Sequence, residues 1–477
     1  MPSISPTALA TLRAALSPSA AVYLPEEDGY STKRWAVNAE KPAALVACPV
    51  TSEDVVQILT FTQSKGPYAA QEKIGFAVKS GGYSPSGTSS SEGGIVIDLG
   101  AKMHDIRVDP TAKLVYAGGG CTWGQVDAAA IDFGLATVSG MLNNIGVGEL
   151  TLDAGLGWLT GQHGMVIDNV VQMTVVTSWG DILIASQSEN SDLFWALRGG
   201  GGNFGIVTQF AYRLYEQRPQ VYSSALVFPP PMAGPVTAEL NAWLSERTCS
   251  ENALVIYTKG VTSQPVMVLH LVYNGDPEEG EKKFERFKKL CPVRDTSGSI
   301  PFTKLNTLQN AHTKPGKFGL IHASAIPAVS SGIPTEFITS TFSSWLKFMQ
   351  QHPAIENLVT LIQFHHPDKR CSVASDATAY PNRQRVYDLK FMIQWTDPKF
   401  TWEAQDALER LSDVFNEAQE KHFTSEVINT HLCSHLDENL FTSAEIEARF
   451  GDNYQRLVEV KNKFDPSGLF GEWFVSR

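Results

Sequence analysis

Basic charge is in short supply in this chain: 38 lysines and arginines against 50 aspartates and glutamates leave its 477 residues at a net charge of −12. An acidic surface repels phosphate backbones and anionic headgroups, so nucleic acid and membrane surfaces are disfavoured as partners. Cysteine is sparse as well. The six (Cys48, Cys121, Cys249, Cys291, Cys371 and Cys433) show no paired spacing, which argues against a disulfide framework and fits a reducing compartment. No apolar run of about 18 residues is present that could span a bilayer. The first residues lack the basic-then-apolar order of a secretion signal. A cytoplasmic protein is therefore expected.

Glycine is abundant and unevenly placed. Eighteen of the 38 glycines lie between Gly118 and Gly205, whereas the chain beyond about residue 216 has an even composition. Glycine clusters where backbone turns tightly or approaches a ligand closely. The length exceeds what one core usually serves. We expect a division into 1–215, 216–425 and 426–477. In the first part, Thr51 caps a helix running through Phe61, and Thr122 with Gln125 forms a capping box. Short apolar strands are expected at 76–79, 95–99, 114–117 and 206–214, with a hairpin around Trp179-Gly180-Asp181. In the middle part, strands at 266–273, 358–364 and 387–395 alternate with helices at 281–290, 340–350 and 401–416, an α+β pattern. A last amphipathic helix is expected over 444–463.

Three glycine-rich segments can carry chemistry. Lys79-Ser-Gly-Gly-Tyr-Ser-Pro-Ser-Gly87 directly follows a strand, and consecutive backbone N–H groups in such a turn form a nest for phosphate oxygens. An ordinary strand-to-loop turn would look the same. The segment from Gly140 to Gly157 would let backbone pass close to an extended ligand, or cross a sheet edge. Gly200, Gly202 and Gly205 satisfy G-x-G-x-x-G, but a helix precedes and a strand follows, which is the reverse of a Rossmann fingerprint. His431 and His435 with Cys433 mimic a metal pair without a second ligand cluster, so no metal is expected. Ser84 lacks the G-x-S-x-G spacing of a hydrolase nucleophile. His365-His366-Pro-Asp368 sits just after a strand, where a pocket residue could lie.

Taken in order, these segments resemble berberine-bridge-type and 6-hydroxynicotine-oxidase-like flavoproteins of the vanillyl-alcohol-oxidase type. The resemblance rests on 78–87 followed by Gly94-Ile-Val-Ile-Asp-Leu99, on Gly118-Gly-Gly-Cys-Thr-Trp-Gly124, and on Asp192-Leu-Phe-Trp-Ala-Leu-Arg-Gly-Gly-Gly-Gly-Asn-Phe-Gly-Ile-Val-Thr208. Lys463-Phe-Asp-Pro-Ser-Gly-Leu-Phe470 extends it to the last helix. It implies an α+β protein: a PCMH-type FAD-binding domain of two α+β subdomains, built from both ends of the chain, plus an α+β cap domain with an antiparallel sheet. It also implies FAD, hydride transfer from a small substrate such as a secondary metabolite, and reoxidation by oxygen. The cofactor is expected against Lys79, Ser80, Gly81, Gly82, Tyr83, Ser84 and Gly87. A second contact is expected at Gly140, Gly146, Val147, Gly148, Leu150, Gly155 and Gly157, and a third at Ile206 and Val207.

Some positions depart from the family pattern. Tyr83 stands where members usually carry a histidine bonded to the flavin, and Leu142 where bicovalent members carry a cysteine, so a noncovalent flavin is expected. Glu149, Asp153 and Ala154 replace glycine-type positions. Two extra carboxylates near a pyrophosphate either turn away or weaken cofactor binding. Three readings stay open. The first is an FAD-dependent oxidoreductase with His365 or His366 as base. The second is a redox-silent relative, with FAD weak or absent, that cyclises, dehydrates or isomerises a natural-product intermediate through Tyr83 as acid and Glu149 or Asp153 as base. The third is a noncatalytic binding protein.

Overall fold

The computed structural model describes residues 4–69, 72–260, 263–423 and 443–471. His431, Cys433 and His435, the considered metal pair, lie outside them, as do residues 472–477. Among the described residues no group of histidine, cysteine and carboxylate side chains could hold a metal ion, and no helix is long and apolar enough to cross a membrane.

Two small sheets are formed mainly by the glycine-rich first part. In the first, strand Ile95–Asp98 runs parallel to Leu45–Cys48 on one side and to Phe76–Lys79 on the other, with Ala21–Tyr23 at the antiparallel edge. The second is antiparallel, in the order Ile106–Asp109, Leu114–Gly118, Ile206–Arg213, Val170–Val176, Ile182–Ser186. The expected caps form. Thr51 and Asp54 close a capping box on helix Ser52–Thr62, and Thr122 and Gln125 close another on Trp123–Ile131. Each supplies side-chain partners to helix-end N–H groups that no backbone carbonyl can reach.

The middle part builds an eight-stranded sheet, antiparallel throughout. Its central strand Glu251–Lys259 is almost wholly buried because both faces are covered. Val255 and Tyr257 pack against Trp243, Phe284, Trp345 and Phe415 of the helices Ala233–Glu246, Pro277–Lys288, Thr335–Gln351 and Thr401–His422. The alternating residues Leu254 and Ile256 join the core shared with the first part. A strand buried on both faces reads as a continuous apolar run, which is the pattern Ala253–Tyr257 carries.

Two segments differ from expectation. The single last helix is two, Ser443–Phe450 and Tyr454–Phe464, separated by a 3₁₀ turn at Gly451–Asn453. Within the second glycine-rich segment, for which no helix was expected, Val147–Asp153 is a short helix. It ends at Ala154, whose φ of +127° is a conformation glycine adopts freely and an L-residue does not.

Candidate active site

The turn after strand Phe76–Lys79 crosses the start of helix Val147–Asp153 backbone to backbone. A Cβ on Gly81 would lie 2.4 Å from the Gly146 nitrogen, and one on Gly146 would lie 2.3 Å from the Gly81 nitrogen. Glycine at both positions is therefore a requirement of the crossing itself. Ser80 fastens the turn by donating to the Gly119 carbonyl at 2.7 Å.

Beside this crossing lies a cavity of about 400 Å³. Of the residues expected to touch the cofactor, Ser80, Gly148, Ile206 and Val207 line it, together with Gly119 and the late residues Ser467–Phe470. Arg34 stands behind the same turn, a buried guanidinium that bonds the Ser89 side chain at 3.0 Å and approaches Gly82. A roomy recess, a backbone crossing that admits no side chain at Gly81 or Gly146, and a buried cation together fit a long anionic cofactor such as FAD.

Several expected cofactor contacts are placed elsewhere. The Lys79 ammonium pairs with Asp98 at 2.8 Å and is spent there. Val147 is fully buried, with its N–H on the Cys121 carbonyl. Gly140, Gly155 and Gly157 abut Leu150, Val166 and the Ser139 carbonyl, so their small size serves internal packing. Gly87 faces Lys41, while the neighbouring Thr88 and Ser89 reach the cavity.

A second cavity of about 190 Å³ adjoins the first, and Thr88, Glu149 and Leu152 line both. Its walls are largely apolar and include Met141, Leu142, Leu150, Ile321, Leu361 and Met392. Tyr83 and Ser84 form one side of it. The Tyr83 ring stacks on Trp35 with centroids 4.8 Å apart, and the Trp35 indole donates to the Thr313 carbonyl at 3.0 Å. Burial holds the Tyr83 hydroxyl well above its usual pKa, moderated by Thr313 and raised further by Glu149. This phenol is a proton holder at neutral pH, not a base.

The two intrusive carboxylates are both accommodated. Asp153 pairs with Arg449 at 2.5 Å, a partner supplied from the far end of the chain. Glu149 accepts the Tyr83 backbone N–H at 3.2 Å. The residue lines both cavities and is half-buried. Burial pushes its pKa up to about 6, against the pull of the Tyr83 and Ser84 N–H groups. Asp153 is therefore no free base, and the pair does not forbid an anionic cofactor.

The expected bases at the strand end are corrected. His365 is buried, bonds Asn252 at 3.0 Å, and has its pKa pushed down to about 4 by burial. His366 lies 3.8 Å from Asp368. Neither lines either cavity. The imidazole that does is His312, in a short 3₁₀ turn, with its pKa lowered by burial. No hydrogen-bond partner of its ring lies among the described residues. Gln309, Gln363 and Lys390 complete the polar side of the cavity. Only Lys390 left a readable trace in the sequence, a lone cation within the apolar run Leu389–Ile393.

Known proteins match along this whole arrangement. The model of an FAD binding domain matches residues 43–186, and that of the berberine and berberine-like family matches 444–472. The FAD-linked oxidoreductase pgmH of Aspergillus terreus is 30% identical over 469 residues, covering 94% of this chain and 91% of that protein. The crystal structure of 6-hydroxy-D-nicotine oxidase from Arthrobacter nicotinovorans superposes with a TM-score of 0.81 at 22% identity, covering 96% of this chain and 98% of the other. Berberine bridge enzyme from Eschscholzia californica gives 0.80 at 17%, covering 98% and 99%. The glycine crossing, the adjoining cavities and a relative aligned over nearly the full length agree, and the chain belongs to the FAD-linked oxidoreductases of the berberine-bridge-like family.

Proposed function

We propose that this FAD-linked oxidoreductase is an oxidase of a small, largely apolar metabolite, with the flavin held noncovalently in the larger cavity and the substrate in the smaller. The observation that carries this reading is the shared wall: Thr88, Glu149 and Leu152 face both spaces, so their contents meet there. Noncovalent attachment is supported by Tyr83, an aromatic packed on Trp35, and by Leu142, an apolar wall residue. Residues 1–215 and 426–477 are assigned to the cofactor part, and 216–425 to the cap. A small substrate accords with the similarity to 6-hydroxy-D-nicotine oxidase.

Ser80, Gly119 and Gly148 would hold the cofactor's anionic part, with the turn at Gly81-Gly82 and Arg34 behind them. Bound FAD supplies a two-electron acceptor that oxygen restores. The chain's own residues do the rest. The apolar walls exclude water from the meeting point, which strengthens every polar contact inside. His312 is neutral at physiological pH, and its free ring nitrogen takes the proton from a substrate O–H or N–H.

The test is spectroscopic, then kinetic. The purified protein should show a flavin absorbance band that moves to the supernatant on acid precipitation, and phenolic or amine substrates should release peroxide. His312→Ala should lower kcat and remove the acidic limb of its pH profile. A colourless protein that takes up no added FAD would sink the reading, and a band retained in the pellet would overturn the noncovalent attachment.

A further inference from the structure

Besides His312, the smaller cavity has three polar features without partners among the described residues. Lys390 forms no ion pair or hydrogen bond among the described residues, and the described acids on the cavity wall and beside it on its strand are already engaged. Asp388, on the same face of strand Val386–Trp395, holds Arg370 through both oxygens at 3.2 Å. Asp153 holds Arg449, and Glu149 sits on the Tyr83 N–H. The side-chain oxygens of Gln363 and Gln309, enclosed by protein, also lack a partner among the described residues; the two residues are only 4% and 5% exposed. The Gln309 side-chain amide meets the His270 ring at 3.0 Å.

Strand register brings these groups together. Leu361 is opposite Lys390 and Gln363 is opposite Asp388, so Gln363 and Lys390 are diagonal neighbours on one face. Such pairs lie roughly 7–8 Å apart, a span that one small molecule bridges. An unpaired ammonium and buried acceptors without donors are costly in apolar surroundings unless a ligand completes them.

Resting on the substrate reading above, we propose that this cavity selects a metabolite carrying one anionic oxygen and a hydroxyl on an apolar frame. Lys390 holds the anion, a carboxylate or a phenolate, and the side-chain amides of Gln363 and Gln309, which belong to the same wall, turn to bond the hydroxyl. Lys390 is then a specificity residue. It sets which molecules enter and in which orientation.

Calorimetric titration of the flavin-loaded protein at pH 7 tests this with 2,4-dihydroxybenzoate, its methyl ester and 2,4-dimethoxybenzoate as probes. The acid should bind about 10- to 100-fold more tightly than the ester, the range expected for a hydrogen bond to a charged group. Lys390→Met should erase that advantage while leaving ester affinity within about twofold, and Lys390→Arg should keep it. Gln363→Leu should narrow the gap between the dihydroxy and dimethoxy acids. Retained flavin absorbance and melting temperature confirm that each variant is folded. An ester whose affinity climbs as its phenol ionises, in wild type but not in Lys390→Met, identifies a phenolate as the anion and supports the assignment. Acid and ester binding alike at every pH, or a preference surviving in Lys390→Met, overturns the role of Lys390 alone. No binding of any probe overturns it together with the small-metabolite reading.

Discussion

Glu149 makes cofactor affinity depend on pH, and the size of the effect follows from its surroundings. Its carboxyl, with a pKa of about 6, rests on the N–H of Tyr83 at the turn expected to receive the flavin pyrophosphate. Two like charges about 5 Å apart at an effective dielectric near 20 repel by ~3 kcal/mol. Keeping the charge therefore costs about 3 kcal/mol. Protonating the carboxyl at pH 7.5 costs only about 2 kcal/mol, since the proton enters roughly 1.5 units above the pKa at 1.36 kcal/mol per unit. Protonation wins, so FAD binding should take up one proton and lift the carboxyl pKa to about 8. Between about pH 6 and 8 the Kd should then rise nearly tenfold per pH unit, flattening on either side. The assay is reconstitution of apoprotein followed by quenching of FAD fluorescence, from pH 5.5 to 8.5. Glu149→Gln keeps an acceptor for the Tyr83 N–H but carries no charge. It should flatten the curve and tighten binding at pH 7.5 by about 30-fold, the equivalent of 2 kcal/mol. A Kd in Glu149→Gln within about twofold of wild type at pH 7.5, or an unchanged pH slope, would refute the reasoning.

Two further outcomes concern stability. The Asp127 carboxyl is buried between Ser139 and Asn306, and burial raises its pKa to about 7, so the folded state keeps a proton that the unfolded chain sheds near 3.8. Stability from this group is full below about pH 4 and is lost as pH climbs through 7, by a few kcal/mol at most; Asp127→Asn should remove that slope in denaturant melts run from pH 5 to 8. Ala154 sits at φ +127°, so Ala154→Gly should raise the melting temperature, with a gain of ~1 kcal/mol from released backbone strain. A lower melting temperature there would mean that Ala154 packing with Met165 and Ile167 outweighs the strain.

What could be read from the sequence was local. Capping boxes and the turn at Gly81 depend on neighbours a few residues apart, and short apolar runs announced most strands of the two small sheets, though not Ala21–Tyr23, Leu45–Cys48 or Ile106–Asp109. The polar side of the substrate cavity is assembled by strand register and by a 3₁₀ turn, so His312 and Gln309 carried no periodic signal. His365 and His366 stood out because they end a strand, but strand ends face either a cavity or the core, and His365 faces Asn252 in the core. The conflict over Asp153 could not be resolved locally either, because its counter-charge Arg449 lies 296 residues further along the chain. Helix Val147–Asp153 was hidden by the glycines around it, which conventional propensity counts against helix.

The larger cavity is walled by residues 73–89 on one side and by Ser467–Phe470 on the other. Closing that ring over so many residues is among the slower and later events in folding. The flavin compartment is therefore complete only once the segment around Phe470 has docked. Cofactor capture becomes the final checkpoint of maturation rather than a nucleus for it. A supply of FAD would stabilise finished molecules by mass action without helping nascent ones.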